Sequence, residues 1–306
     1  MDLVIKAEQT TLVKNLIFGE KMGEKWEEYY TRNQLQLLQK IEIENLQIFI
    51  DVCNQLELEY FLYGGTLLGA EKYKGMIPWD DDIDVAMPRD SYIKFIEKAE
   101  AVLPKCCYLQ SPYNCPKTPF PYTKLRRRGT VYLEKEFKDL GLETGIYIDI
   151  YPVDRIPDND KLYHKQFKKV HRWILMYVLR QARLYKKPDL HRFGFLRRSV
   201  KFVLHNILRL FPQSFYIKKL DHCMKKYNGI TTKRYAAMNS PNINNIYLNL
   251  YPFQKGTFEG MDVVLPGDHI THLKMRYGDM DKVLPEEKRY GHIPYRLDFG
   301  EYEKME

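Results

Sequence analysis

The sequence predicts an α/β (α+β) fold, a small mixed sheet with flanking helices and a large basic helical insertion. Three observations lead there. Short apolar runs of strand length, among them 59–63, 83–87 and 146–150, are interleaved with segments whose apolar residues repeat at helical spacing. Gly, Pro and Asp stand at the joints, where a chain must turn or a helix must start. Residues 158–228 are basic and helical in pattern, and they separate the strand-bearing parts on either side.

In chain order, Leu38, Ile41, Ile48, Phe49, Val52 and Leu56 fall near one helical face, so 35–56 reads as a helix buried against a sheet. The strand 59–63 ends at Gly64 and Gly65, and Thr66 is placed to cap a brief helix through Leu67, Leu68 and Ala70. A second strand, 83–87, begins inside a run of aspartates. Pro88 then opens a helix carrying Tyr92, Phe95 and Ile96. Residues 104–122 read as loop with short strands, and 130–133 and 146–150 as further strands. Strands return over 258–264, 267–277 reads as a helix, and the tail as loop; no internal repeat is evident. The expected division is 1–157 for N-terminal helices and most of the core, 158–228 for the basic insertion, and 229–306 for elements completing the core.

With 306 residues, 44% hydrophobic and 29% charged, the chain has the composition of a soluble globular protein with ample core. Its opening, MDLVIKAEQTTLVKNL, carries an early acid and no long apolar stretch, which predicts no secretory leader. The longest apolar run, Trp173 to Leu179, falls far short of the roughly 20 residues a membrane span needs. Five cysteines make an odd, sparse set suited to a reducing cytoplasm, and their spacing matches no standard zinc site. The net charge of +8 is unevenly placed. Residues 161–220 hold sixteen Lys or Arg against the single acid Asp189, a balance of +15, which leaves −7 for the rest. That asymmetry points to one localised polyanionic partner.

The chemistry concentrates in Tyr63 to Asp84, YGGTLLGAEKYKGMIPWDDDID. Asp80, Asp81, Asp82 and Asp84 occupy four of five positions, an arrangement that is electrostatically costly unless cations or good donors satisfy it. On a strand Asp82 and Asp84 share one face, where they suit Mg²⁺ or Mn²⁺ beside substrate phosphates. Gly64, Gly65 and Thr66 precede them in a turn that lets backbone amides approach a phosphate. A third carboxylate is expected from another strand. Asp149 in GIYIDIYP is the best candidate because an acid among apolar neighbours needs a reason, and Asp154 is the alternative. Asp149 suits either a metal ligand or the base that takes the proton of an attacking hydroxyl. Among Arg126, Arg127 and Arg128, one is placed to meet the donor's phosphates with a fork of hydrogen bonds, or the run is a solvated face.

These residues resemble the LicD family, a branch of the nucleotidyltransferase superfamily that includes phosphocholine transferases and is related to fukutin and fukutin-related protein. The matching segments are FLYGGTLLGAEKYKGMIPWDDDIDVAMPRDSYIKF (61–95), GIYIDIYPVD (145–154) and RYGDMDKVLPEEKRYGH (276–292). The superfamily pattern of a Gly-Gly or Gly-Ser turn, a paired-acid strand and a third acid falls on Gly64 and Gly65, on Asp82 and Asp84, and on Asp149. The resemblance implies a nucleotidyltransferase-like fold and a CDP-alcohol donor such as CDP-choline. It also implies transfer of phosphocholine, or a related alcohol phosphate, to a sugar hydroxyl of teichoic acid, lipopolysaccharide or another surface glycan, with release of CMP. Asp279, Arg289 and His292, in the third segment, would touch the donor nucleotide or the acceptor, or brace the fold.

The basic segment has no counterpart in that resemblance. Trp173 to Leu179 reads as a buried helix with cationic ends, Arg172 and Arg180. Phe193 to Arg198 and Phe202, Val203 and Leu204, with Leu208, Leu210 and Phe211, mix bulky apolar groups with Arg and Lys, as in a helix lying on an anionic membrane surface. Lipid-linked glycan precursors are assembled there, which would place a cytoplasmic protein at the inner face of the cell membrane. Plain packing or contact with an anionic glycan are the other readings. A nucleotidyltransferase moving NMP from an NTP to a small molecule or RNA would need the same metal site. A non-catalytic glycan- or nucleic-acid-binding protein would leave the aspartate cluster without purpose. The absence of a recognised RNA-binding module weighs against a nucleic-acid partner.

Overall fold

The computed structural model describes residues 31–134, 137–181, 194–240, 243, 245–280, 292 and 294–304. Its helices are α1 (Arg32–Gln55), α2 (Gly64–Lys72), α3 (Arg89–Lys98), α4 (Asp160–Gln181), α5 (Gly194–Leu208), α6 (Gln213–Met224) and α7 (His269–Tyr277). The central strands are β1 (Phe61–Leu62), β2 (Asp84–Pro88), β3 (Cys107–Gln110), β4 (Thr123–Arg127), β5 (Val131–Glu134) and β6 (Tyr147–Ile156). After the helical segment come β7 (Arg234–Ala236), β8 (Ile246–Leu248), β9 (Gln254–Phe258), β10 (Met261–Leu265) and β11 (Pro294–Asp298). The α/β (α+β) class is as the sequence predicts.

The main sheet runs β1-β2-β6-β4-β3, with β2 and β6 parallel and the other neighbours antiparallel. Strand β6 holds it together by changing partners along its length: 147–150 pair with β4, 149–153 with β2, and 154–156 with β7. Pro152 falls in the gap between the residues paired to β4 and those paired to β7, a tolerable place for a residue without an N–H. Side chains alternate across the sheet. Val85, Met87, Leu125, Ile148 and Ile150 enter the main core with Phe49 of α1 and Phe95 of α3. The opposite face carries Asp84, Lys124, Arg126, Tyr147 and Asp149.

Helix α1 starts where Thr31 and Gln34 close a reciprocal cap: Thr31 Oγ1 accepts from the Gln34 amide (3.2 Å), and Gln34 Oε1 accepts from the Thr31 amide (2.9 Å). Helices α4 and α6 pack with β7 and β8 around a second core that includes Ile156, Phe167, Val170, Tyr177, Tyr216, Leu220 and Ile246. Arg89, in the first turn of α3, links the two parts. Its Nε and Nη2 donate to the two carboxylate oxygens of Asp154, the former at 2.9 Å, and Nη1 reaches Asp221 of α6 at 3.2 Å. Asp154 also accepts from Asn228 at 2.6 Å, so it is a buried structural partner and not a third acid of the aspartate cluster.

Three expectations differ from the fold. Residues 123–127 form β4, buried along its whole length despite three basic side chains. The span 258–264 is a hairpin, β9–β10, turning at Glu259 and Gly260, both with positive φ. The tail is not all loop, because β11 pairs with β5. Among the described residues no helix is long and apolar enough to cross a membrane.

Candidate active site

Strands β2 and β6 place Asp84 directly opposite Asp149, and β4 places Lys124 opposite Asp149 on the other side. Three charged residues therefore form one row across adjacent strands, on the face opposite the one that Phe49 and Phe95 cover. Lys124 Nζ donates to Asp149 Oδ1 at 2.7 Å, and the Tyr151 hydroxyl to Oδ2 at 3.3 Å. Burial pushes the Lys124 pKa down, and the Asp149 charge opposes that shift.

The first turn of α2 lies directly against these acids. A Cβ at Gly64, where φ is +60°, would come within 2.6 Å of Asp84 Oδ2, and one at Gly65 within 2.7 Å of Asp80 Oδ2. Only glycine permits that approach. Thr66 does not cap the helix, which starts at Gly64 after Tyr63 with no side-chain cap. Its Oγ1 instead accepts from the Asp84 amide at 2.8 Å, pinning the start of the acid strand to the helix.

Burial, then the charges of Asp82 and Asp149, raise the Asp84 carboxyl well above the ordinary range. Asp80 is raised the same way, by burial and by Asp82 and Asp81. Asp84 Oδ1 is buried without a hydrogen-bond partner. Crowded carboxylates that raise one another's pKa, with a bare buried oxygen among them, are a donor set that a hard divalent cation fits.

His292 arrives from more than two hundred residues away. Its amide donates to Asp81 Oδ2 at 2.6 Å, and its Nδ1 lies 3.3 Å from Asp81 Oδ1 and 3.7 Å from Asp82 Oδ2. Desolvation opposes its protonation, but Asp82 and Asp81 outweigh it and hold the imidazolium well above its usual pKa. Among the described residues, Asp81, Asp82 and His292 are the group of three whose ligand atoms all lie within 4.8 Å of one another. Asp82, Asp84 and Asp149 are not gathered that tightly, since Asp149 is turned toward Lys124.

The remaining predicted residues divide. Arg126 lies on the acid-bearing face, with Nε donating to Gln110 Oε1 and Nη1 to the Gly145 carbonyl, both at 2.7 Å. Arg127 points the other way, bonding Asn45 Oδ1 (3.0 Å) and Glu44 Oε2 (3.3 Å) of α1, so the structure gives it a bracing position away from the acids. Asp279 is exposed just beyond α7. Arg289 lies outside the described residues.

Two cations of the site escaped the sequence reading. Lys124 sits next to a more conspicuous arginine run, in a segment with no evident strand signal. Arg276 stands over the rings of Tyr63 (5.5 Å) and Tyr277 (5.0 Å) and donates to Asn245 Oδ1 at 3.0 Å. Its charge opposes the rise in the Asp84 pKa. The Asp84 and Asp149 row is bordered by aromatic rings, with Tyr63 5.1 Å from Tyr151 and Tyr151 4.6 Å from Tyr122.

Comparison with known proteins shows what this site is similar to. The chain is 27% identical over 265 aligned residues, 81% of this chain and 91% of the relative, to the lipopolysaccharide cholinephosphotransferase LicD of Haemophilus influenzae. It is 28% identical over 111 residues to an uncharacterized protein of Rickettsia typhi, covering 36% of this chain and 33% of that one. Residues 57–177 match the family described as LicD/FKTN/FKRP, nucleotidyltransferase domain, and span Gly64, Gly65, Asp82, Asp84, Lys124 and Asp149. The strands β2, β3, β4 and β6, which build the acid-bearing face, thus all lie within the segment that matches the LicD/FKTN/FKRP nucleotidyltransferase domain.

Proposed function

We propose that the protein is a phosphotransferase that moves phosphocholine, or a related alcohol phosphate, from a CDP-linked donor to a sugar hydroxyl of a surface glycan such as lipopolysaccharide, releasing CMP. The observation that carries this reading is the row of Asp84, Asp149 and Lys124 beneath Gly64 and Gly65. It occurs in a chain similar over 81% of its length to a protein named for cholinephosphate transfer to lipopolysaccharide.

Asp82 and Asp84, the latter with its bare Oδ1, are the residues that would hold Mg²⁺ or Mn²⁺, while Asp149, turned toward Lys124, is the base. Such an ion, when bound, neutralises charge on the transferring phosphate and its leaving oxygen. The chain's own groups do the rest. Gly64 and Gly65 keep side chains out of the space beside the acids, so a phosphate can come close to backbone. Lys124 and the Tyr151 hydroxyl fix the Asp149 carboxylate in place to take the proton of the incoming sugar hydroxyl. Arg276 and His292 bring positive charge to the acid cluster from the C-terminal part of the chain.

The test is product identification with Mg²⁺ or Mn²⁺, a panel of CDP-alcohols and NTPs, and a glycan extract as acceptor. CMP release from CDP-choline with phosphocholine appearing on glycan is the expected result. Asp84→Asn should lower it about a hundredfold or more. Pyrophosphate from an NTP would instead assign nucleotidyl transfer, and no CMP from any CDP-alcohol would overturn the proposal.

A further inference from the structure

Helix α5 and the turn after it present an apolar stripe to solvent. Val200, Val203, Leu204 and Ile207 stand at i, i+3, i+4 and i+7, and Leu210 and Phe211 continue the spacing beyond the helix end. Each is between 41% and 79% exposed. The helix is firmly seated on another face, where buried His205 pairs its Nδ1 with the Leu179 carbonyl at 2.7 Å and Leu208 packs against the second core. The stripe therefore faces outward because of how the helix is anchored.

Cations rim its C-terminal end. Arg180 Nε donates to the Phe211 carbonyl at 3.0 Å. Phe211 stacks on Phe215 at 5.0 Å, and Lys219 Nζ lies 5.6 Å from the Phe215 ring. Arg209 is exposed between Leu208 and Leu210. By sequence, residues 161–220 hold sixteen Lys or Arg and one acid.

We propose that this stripe and its cationic rim dock on an anionic lipid surface, with α5 lying in the plane of the interface. The apolar side chains would enter the headgroup–acyl boundary while Arg180, Arg209 and Lys219 meet lipid phosphates. Charge selects this occupant. A second copy placed on the stripe would bring two segments of +15 together, and like charges at an interface oppose association. RNA would satisfy the cations but leave the aliphatic stripe in water. The inference is independent of the transfer reaction and survives or fails without it.

Full-length protein is sedimented with vesicles of phosphatidylcholine alone and of equimolar phosphatidylcholine and phosphatidylglycerol. Binding to the anionic vesicles at low salt, about tenfold or more weaker on phosphatidylcholine, is expected. The combined change Val203→Ser, Ile207→Ser and Leu210→Ser should weaken it about tenfold or more with unchanged circular dichroism. Arg209→Glu with Lys219→Glu should abolish the preference for anionic lipid. Absence of binding to anionic vesicles overturns the proposal, as does binding undiminished in both variants. A stripe-dependent dimer in vesicle-free solution, or binding to RNA in place of vesicles, would also overturn it.

Discussion

Lys124 and Asp149 lie 2.7 Å apart, with their side chains 1% and 7% exposed. Two charges so far from water persist only because each satisfies the other, and removing one strands its partner. Lys124→Met should therefore destabilise the protein by about 3–5 kcal/mol, read from urea unfolding. Lys124→Met with Asp149→Leu should recover most of that loss while remaining inactive, because the carboxylate needed for transfer is gone. If the single variant unfolds at the wild-type urea concentration, the pair does not stabilise the fold. Asp149 was legible from its apolar surroundings, since a lone acid there stands out. Lys124 was not, because a lysine beside three arginines reads as one more surface cation until its neighbouring strand is known.

At the level of elements, α7 is held to β8 by His272, which stacks on Tyr247 at 3.9 Å and pairs Nδ1 with the Ile246 carbonyl at 2.9 Å. Burial, reinforced by the nearby Arg276 charge against the backbone bond and Asp268, pushes this imidazole down to about 4. In the unfolded chain it takes its proton near 6.5. The stabilisation from keeping it neutral is thus complete above pH 6.5 and fades as pH falls toward 4, about 3 kcal/mol in all. Asp80 and Asp84, whose carboxyls are raised, act in the opposite direction. The informative quantity is therefore the difference from a variant. Between pH 7 and pH 5, wild type should lose more unfolding free energy than His272→Phe, and equal losses would remove His272 from the account. Periodicity made α1, α3 and β2 legible, each with one apolar face turned to the main core. It missed β4, whose TKLRR carries no strand pattern because its cations are paired with groups from β6, β3 and α1. Such satisfaction depends on residues distant in sequence and leaves no local trace.

Across the whole molecule, charge is sorted. Acids gather where β2 and β6 meet, and the basic balance of +15 lies in residues 161–220. The turn and acids of 64–84 announced chemistry locally, but His292 reaches Asp81 only through the tertiary fold. This sorting carries an energetic consequence. Without a cation, Asp80, Asp81, Asp82, Asp84 and Asp149 repel one another in a partly desolvated site, which opposes folding. A divalent ion bound by the folded site alone stabilises by mass action, about 2.7 kcal/mol at about one hundred times its Kd. For a chain of this size that corresponds to a Tm rise of about 4 °C. Mg²⁺ or Mn²⁺ should produce it in wild type and lose most of the effect in Asp84→Asn, while NaCl at matched ionic strength should not reproduce it. An equal shift in the variant, or with NaCl, would mean that the acid row does not hold the ion and that generic screening accounts for the stabilisation.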